Sequence, residues 1–238
     1  MPPVNLAAMT TDTQHTSAAQ GSRAERRRAR VRAEMTVAAR ALIAEKGVAG
    51  LRVSDVTERA DLAFGSFYTY FDSKADVIEA VIADTVGALA DALISLPSSL
   101  DDPAERVSVA CRGIVRLAYH DRELARLLVN LERAEARLEE MVGGQAHTVM
   151  TAGIDAGRFT VEDLPTFLVF AISGCFAIMR GILEGRLGDD ADITCATAIL
   201  AGAGLGYAEA VEIARRPLPR FDLPVSGPRT DRSDNPAG

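Results

Sequence analysis

The chain has 238 residues, 48% of them apolar, which is enough to build one large helical core or a small domain beside a larger one. Its net charge of −7 is unusual for a protein that binds nucleic acid. The charge is uneven, however: residues 23–74 hold eleven Arg or Lys and seven Asp or Glu, a balance of +4 that leaves −11 for the remainder. The N-terminal segment is therefore the expected site of any contact with an anionic partner.

Composition also limits the location and the chemistry of the protein. The first ten residues lack the basic and apolar regions of a signal peptide, and the most apolar run, residues 164–179, is shorter than about 18 residues, so we expect no membrane span and a cytoplasmic protein. Cys111, Cys175 and Cys195 have no CxxC spacing, which predicts small buried side chains in a reducing compartment.

Both ends of the chain have the composition of tails. Residues 1–22 are polar and without pattern, and residues 217–238 contain five prolines, so we predict that both segments are disordered. Six arginines follow the first tail, and they indicate either a solvated helix face or an arm that contacts phosphates or the minor groove: Arg23, Arg26, Arg27, Arg28, Arg30 and Arg32. The first predicted helix continues with an apolar stripe and ends at Gly47.

Residues 53–74, V-S-D-V-T-E-R-A-D-L-A-F-G-S-F-Y-T-Y-F-D-S-K, predict two short helices joined by a tight turn. Val56 and Ala60 are four residues apart, as are Phe67 and Phe71, and Leu62 fills the turn. The hydroxyls and aromatic rings left on the second helix suit phosphate oxygens, base edges and the thymine methyl group. A helical hairpin whose aromatic side chains all pack into a core is the alternative.

At these residues the chain resembles the TetR family of bacterial transcriptional regulators, whose recognition helix typically reads G-T-L-Y-x-Y-F and is followed shortly by Lys. There are two departures: Ala63 replaces a capping Ser, which costs about 1 kcal/mol, and Phe64 replaces a polar base-reading residue, where its ring can contact a thymine methyl. The motif and the resemblance together predict DNA contacts from Phe64, Gly65, Ser66, Tyr68, Thr69, Tyr70 and Lys74.

The next helices are marked by their caps. Ser73 and Asp76 form the S-x-x-D pattern of a capping box, so a fourth helix begins there and ends before Pro97. Asp102, followed by proline, opens a fifth helix, and Asp121 caps a short sixth. In the family the fourth helix joins two domains.

A seventh helix is predicted over residues 132–156, with an apolar side interrupted by Gln145. That glutamine either contacts a ligand or is a core residue hydrogen-bonded to nearby backbone.

Residues 163–184 and 192–216 predict two long helices that are apolar on nearly every side and therefore need burial on two faces. Close approach between helices would explain their glycines, which are Gly174, Gly181, Gly202, Gly204 and Gly206. The resemblance implies that these helices form a homodimer. The G-A-G-L-G run lacks the spacing of a dinucleotide loop.

No catalytic motif is present in the sequence, and His120 with Glu123 supplies at most half of a metal site, so we predict neither an enzyme nor a cofactor. The sequence predicts an all-α protein with a helix-turn-helix domain over residues 23–72 and a regulatory and dimerisation domain over residues 73–216. The expected function is a repressor released from double-stranded DNA by a small apolar or amphipathic effector. A ligand-independent regulator, and a helical ligand-binding bundle or enzyme without DNA binding, are the alternatives.

Overall fold

The computed structural model describes residues 11–97 and 100–219, with side chains from residue 23 onward. All regular structure within these ranges is helical, which confirms the all-α prediction. The outer parts of the two expected tails, residues 1–10 and 220–238, lie outside the described residues. The α-helices are α1 (Thr11–Gly50), α2 (Val53–Arg59), α3 (Phe67–Tyr70), α4 (Lys74–Ile94), α5 (Pro103–His120), α6 (Arg122–Asn130), α7 (Ala134–Asp155), α8 (Leu164–Leu183), α9 (Ala191–Gly202) and α10 (Tyr207–Arg215).

Helix α1 starts earlier than the sequence predicts. It begins at Thr11, inside the segment for which disorder is expected. A helix that has been nucleated elongates with one hydrogen bond for each residue fixed, so a stable amphipathic stretch can extend into polar sequence. That stretch is anchored by Val31, Met35 and Leu42, which are buried. The helical conformation is interrupted at Gly47, where φ is 72°, as the sequence predicts.

The described residues form two compact units. The N-terminal unit contains the chain up to Leu42 together with Gly50–Val81, and the C-terminal unit contains Ile43–Ala49 together with the chain from Ile82 onward. The division falls inside α4, whereas the expected domain boundary precedes this helix. Helix α4 therefore contributes residues to both units.

The predicted caps set the helix starts. Asp76 Oδ2 accepts from the Ser73 backbone N–H at 3.0 Å, and the Ser73 hydroxyl oxygen accepts from the Asp76 N–H at 3.2 Å, which completes the capping box of α4. Asp102 accepts from the N–H of Ala104 at 2.9 Å at the start of α5. Asp121 accepts from the N–H of Leu124 at 3.0 Å at the start of α6.

Helix α5 lies at the centre of the C-terminal unit and packs against α8 and α9. Its buried Arg112 donates to Asp192 Oδ2 at 3.0 Å and to the backbone carbonyl of Arg216 at 2.6 Å, which ties α5 to α9 and to the end of α10. Two bonds of 3.0 and 2.8 Å from Arg158 to Asp102 hold the pKa of that carboxyl below its usual value.

The predicted last helix, residues 192–216, is in fact two helices. Helix α9 ends at Gly202 and α10 begins at Tyr207. Gly204 between them has a φ of 102°, and the carbonyl of Ala203 accepts from the Thr160 N–H at 2.7 Å. Gly204 thus serves the turn between α9 and α10, because the left-handed region favours a residue without a Cβ, and Thr160 also approaches it closely.

Helix α8 is longer than the apolar run seen in the sequence. It has 20 residues and, by length and composition alone, could cross a membrane, with 33% of its most apolar 18-residue window buried. An interior helix of a soluble bundle satisfies the same criteria. Its outer side carries the exposed apolar residues Val169 and Phe170.

Candidate nucleic-acid interface and ligand cavity

The segment between α2 and α3 folds as the apolar spacing predicts. Val56, Phe67 and Phe71 are buried, and the two phenylalanine rings lie 5.6 Å apart. The turn is closed by the Leu62 N–H, which donates to the carbonyl of Thr57 at 2.9 Å. A short 3₁₀ turn, Phe64–Ser66, leads into α3, which has only four residues.

The outer face of this segment is aromatic and exposed. The side chains of Phe64 and Tyr68 are 57% and 56% exposed, so the alternative in which all aromatic residues pack into a core is wrong. Their rings meet edge to face at 6.3 Å. Gly65 and Thr69 are also exposed, and the other predicted DNA contacts, Ser66, Tyr70 and Lys74, are half-buried.

Ser66 is already engaged within the protein. Its hydroxyl donates to the carbonyl of Ala63 at 2.6 Å, and neither the 3₁₀ turn nor α3 has a side-chain cap, as the alanine at position 63 predicts. Since a hydroxyl has one proton and two lone pairs, Ser66 keeps acceptor capacity for a DNA donor and has no second proton for a phosphate.

Two arginines of the basic segment contact α3, which the sequence did not indicate. Arg28 donates to the carbonyl of Thr69 at 3.1 Å, and Arg32 donates to the carbonyl of Tyr70 at 2.6 Å. Their spacing of four residues, which places both on one face of α1, was the only available signal.

The C-terminal unit contains a cavity of about 120 Å³. Its wall is formed by the C-terminal end of α4 together with α5, α7 and α8, and it is mainly apolar. Representative lining residues are Leu93, Ile94, Ile114, Val149, Phe167 and Ile172.

Few polar side chains reach this cavity. Arg106 lines it and donates to the carbonyl of Pro97 at 3.1 Å. Gln145 also lines it but is exposed, so it stands at the edge of the cavity and is not the core residue that the sequence left as an alternative. The thiols of Cys111 and Cys175 belong to the wall as well.

Interactions with the thiols of Cys111 and Cys195, together with burial, raise the pKa of the Cys175 thiol. Cys175 therefore stays protonated and uncharged, and all three cysteines are buried as predicted. The His120 ring is exposed, with Nε2 2.8 Å from the Arg116 guanidinium. Among the side chains described, those of residues 23–97 and 100–219, no group of three or more His, Cys, Asp or Glu is placed to hold a metal ion.

Two family models match the chain: that of bacterial regulatory proteins of the tetR family over residues 36–81, and that of the tetracyclin repressor-like C-terminal domain over residues 102–216. The solved structure of RolR in complex with resorcinol is 32% identical, with a TM-score of 0.67, and the match covers 83% of this chain and 100% of that chain. This chain belongs to the TetR family. The protein is a DNA-binding transcription regulator and not an enzyme.

Other solved structures of the TetR family share the fold. RolR without ligand is 31% identical, with a TM-score of 0.64, over 81% of this chain and 100% of that chain. FadR from Bacillus subtilis in complex with stearoyl-CoA is 18% identical, with a TM-score of 0.58, over 71% of this chain and 97% of that chain. The comparison with curated protein sequences returned no match. Helix α8, which by length and composition alone could cross a membrane, lies wholly inside the matched C-terminal domain.

The exposed aromatic face predicts different effects for two substitutions. Phe64→Ala should change the preferred DNA sequence, because it removes an apolar contact to base edges. Lys74→Ala should weaken binding to all sequences equally and lower the slope of the salt dependence by about one, the change expected when one lysine no longer neutralises a phosphate. Selection from a randomised duplex pool, followed by titrations at several salt concentrations, measures both effects.

Val37→Ala is the matched control, since Val37 is an apolar residue of α1 that is 60% exposed. If Phe64→Ala and Lys74→Ala both keep the affinity and the sequence preference of the unmodified protein, the segment from Phe64 to Lys74 does not contact DNA.

Proposed function

We propose that this TetR-family regulator is a repressor that leaves a double-stranded DNA operator when a small molecule occupies the cavity of its C-terminal unit. The main support is the position of Leu93 and Ile94, which line the cavity and belong to α4. Residues of the same helix up to Val81 belong to the N-terminal unit, so an effector in the cavity contacts an element that both units share. The protein would act in the cytoplasm, where its operator is.

The cavity size favours a single-ring effector. An apolar cavity of about 150 Å³ accommodates benzene, and the cavity here is about 120 Å³. A long acyl chain would require a much larger space. The polar groups of Arg106 and Gln145 would meet one or two hydroxyls on an otherwise apolar ring. RolR, which is 32% identical, was solved with resorcinol, a dihydroxybenzene of this kind. We therefore propose a phenol as the effector class.

The effector must bind one state of the protein more tightly than the other, because equal affinity for both states shifts no equilibrium. Arg106 offers a source of that difference. Its guanidinium holds the carbonyl of Pro97, just beyond the end of α4. A phenol oxygen that accepts from another N–H of Arg106 would reorient the guanidinium and so change how the end of α4 is held.

We also propose that the protein is a homodimer, in line with its family, and that the outer face of α8 lies at the subunit interface. Val169 and Phe170 are exposed there, and Ala177, seven residues beyond Phe170, lies on the same face of the helix. Burial of this face against a second copy would remove exposed apolar surface from water.

The effector proposal predicts a selective defect in Gln145→Leu. This variant should keep its operator affinity but need roughly two- to tenfold more resorcinol for release, since one neutral hydrogen bond contributes about 0.5–1.5 kcal/mol. The measurement is a release titration on a duplex selected by the unmodified protein. His147→Leu is the control, because His147 is exposed on the same helix and does not line the cavity.

Release at the same resorcinol concentration in Gln145→Leu and in the control would contradict a role for Gln145 at the cavity. Release by stearoyl-CoA together with no response to resorcinol would contradict the single-ring effector class.

The dimer proposal predicts that Phe170→Glu produces monomers. Operator affinity should fall by at least about tenfold, because each subunit of the dimer supplies one helix-turn-helix domain to the operator. A charged residue at Leu205 would not test the interface. Although Leu205 belongs to residues 192–216, for which an interface is expected, its side chain is buried in the core of its own protomer, so the substitution would unfold the protomer. Ala136→Glu, at an exposed position of α7, is the control. Light scattering at micromolar concentration decides, and a monomeric unmodified protein would refute the proposal.

A further inference from the structure

Helix α3 has an unusual need for partners at its C-terminal end. It consists of a single turn, and the last four carbonyls of any α-helix have no partner within the helix. The carbonyl of Phe67 accepts from the Phe71 N–H at 3.0 Å. The carbonyls of Thr69 and Tyr70 accept instead from the guanidinium groups of Arg28 and Arg32.

Arg32 makes a second interaction at the same place. Its guanidinium carbon lies 4.1 Å from the centre of the Phe71 ring, in the geometry of a cation–π interaction. Phe71 is 2% exposed and leaves α3 in an extended conformation. Arg32 thus holds both the last carbonyl of α3 and the first side chain after it.

The two arginines stand on a well-anchored part of α1. They are four residues apart, on one helical face, and Val31 and Met35 beside them are buried. The positive charges also complement the partial negative charge at the C-terminus of a helix. At the other end, neither α3 nor the preceding 3₁₀ turn has a side-chain cap. The direction of α3 relative to α1 is therefore set by the buried rings of Phe67 and Phe71 together with this C-terminal clamp, which Arg28 and Arg32 form.

We propose that Arg28 and Arg32 are positioning residues for DNA recognition, which fix the exposed face of Phe64 and Tyr68 against α1 and act through α3, not by binding a phosphate. The proposal rests on the proposed DNA-contact role of that face. It separates these two arginines, which bind carbonyls of α3 although their side chains are exposed, from the equally exposed Arg27 of the same basic segment.

The test compares Arg32→Gln, Arg32→Lys and the control Arg27→Gln on two duplexes of equal length. One duplex is selected from a randomised pool by the unmodified protein, and the other is its scrambled sequence. Each titration is run at several salt concentrations and well below the measured unfolding temperature of each variant. These conditions separate sequence recognition from backbone electrostatics and from simple loss of folding.

Arg32→Gln should lower affinity for the selected duplex by roughly tenfold, the order expected for one charged hydrogen bond, and leave the scrambled duplex and the salt dependence nearly unchanged. Arg32→Lys should recover part of this affinity, because the ammonium group keeps the charge and can still donate to the Tyr70 carbonyl. Arg27→Gln should leave the ratio of the two affinities at its unmodified value.

An equal decrease in affinity for both duplexes, with the slope of the salt dependence lowered by about one, would identify Arg32 as a phosphate ligand and overturn the proposal. Unchanged affinities below the unfolding temperature would also overturn it and assign the clamp to stability alone. If Phe64→Ala and Lys74→Ala bind DNA as the unmodified protein does, the proposed DNA-contact role of the exposed face of Phe64 and Tyr68 is wrong. If they lose affinity or change preference while Arg32→Gln does not, only the positioning role is wrong.

Discussion

In the proposed mechanism, coupling between the two units depends most on the continuity of α4. A capping box made by Ser73 and Asp76 satisfies backbone donors where the helix begins, shortly after α3 in the chain. Leu93 and Ile94, near its other end, form part of the cavity wall. The helix is unbroken from Lys74 to Ile94, so no flexible linker separates the two sets of residues. In the proposed mechanism, a ligand that changed how one end is packed would act on the same hydrogen-bonded element that begins after α3.

Local features of the fold could be predicted from the sequence, because they depend on residues a few positions apart. The buried spacing of Val56, Phe67 and Phe71 and the caps at Asp102 and Asp121 are of this kind. Features that join distant segments could not be predicted. Arg28 and Thr69 are 41 residues apart, and the four-residue spacing of Arg28 and Arg32 does not by itself distinguish an arginine that binds a carbonyl from one that faces solvent. The cavity likewise exists only once four helices have packed together.

The expectations for residues 192–216 differ from the structure for one physical reason. The sequence predicts a single helix whose glycines allow close packing, because an apolar run with small residues is compatible with either a packed helix or a chain reversal. The positive φ of Gly204 selects the reversal, and it directs Leu205 into the protomer core. Gln145 differs in the opposite direction from Leu205. Its position on an apolar stripe is compatible with burial, but its side chain lies at the edge of the cavity and is exposed.

The most direct test of the proposed mechanism is reciprocity between the two ligands. Resorcinol affinity is measured with and without the selected duplex, and duplex affinity with and without saturating resorcinol. Thermodynamic linkage requires the two factors to be equal. We expect each ligand to weaken binding of the other by the same factor, between about 5- and 150-fold. Resorcinol that binds equally well to the free protein and to the DNA complex would contradict the mechanism.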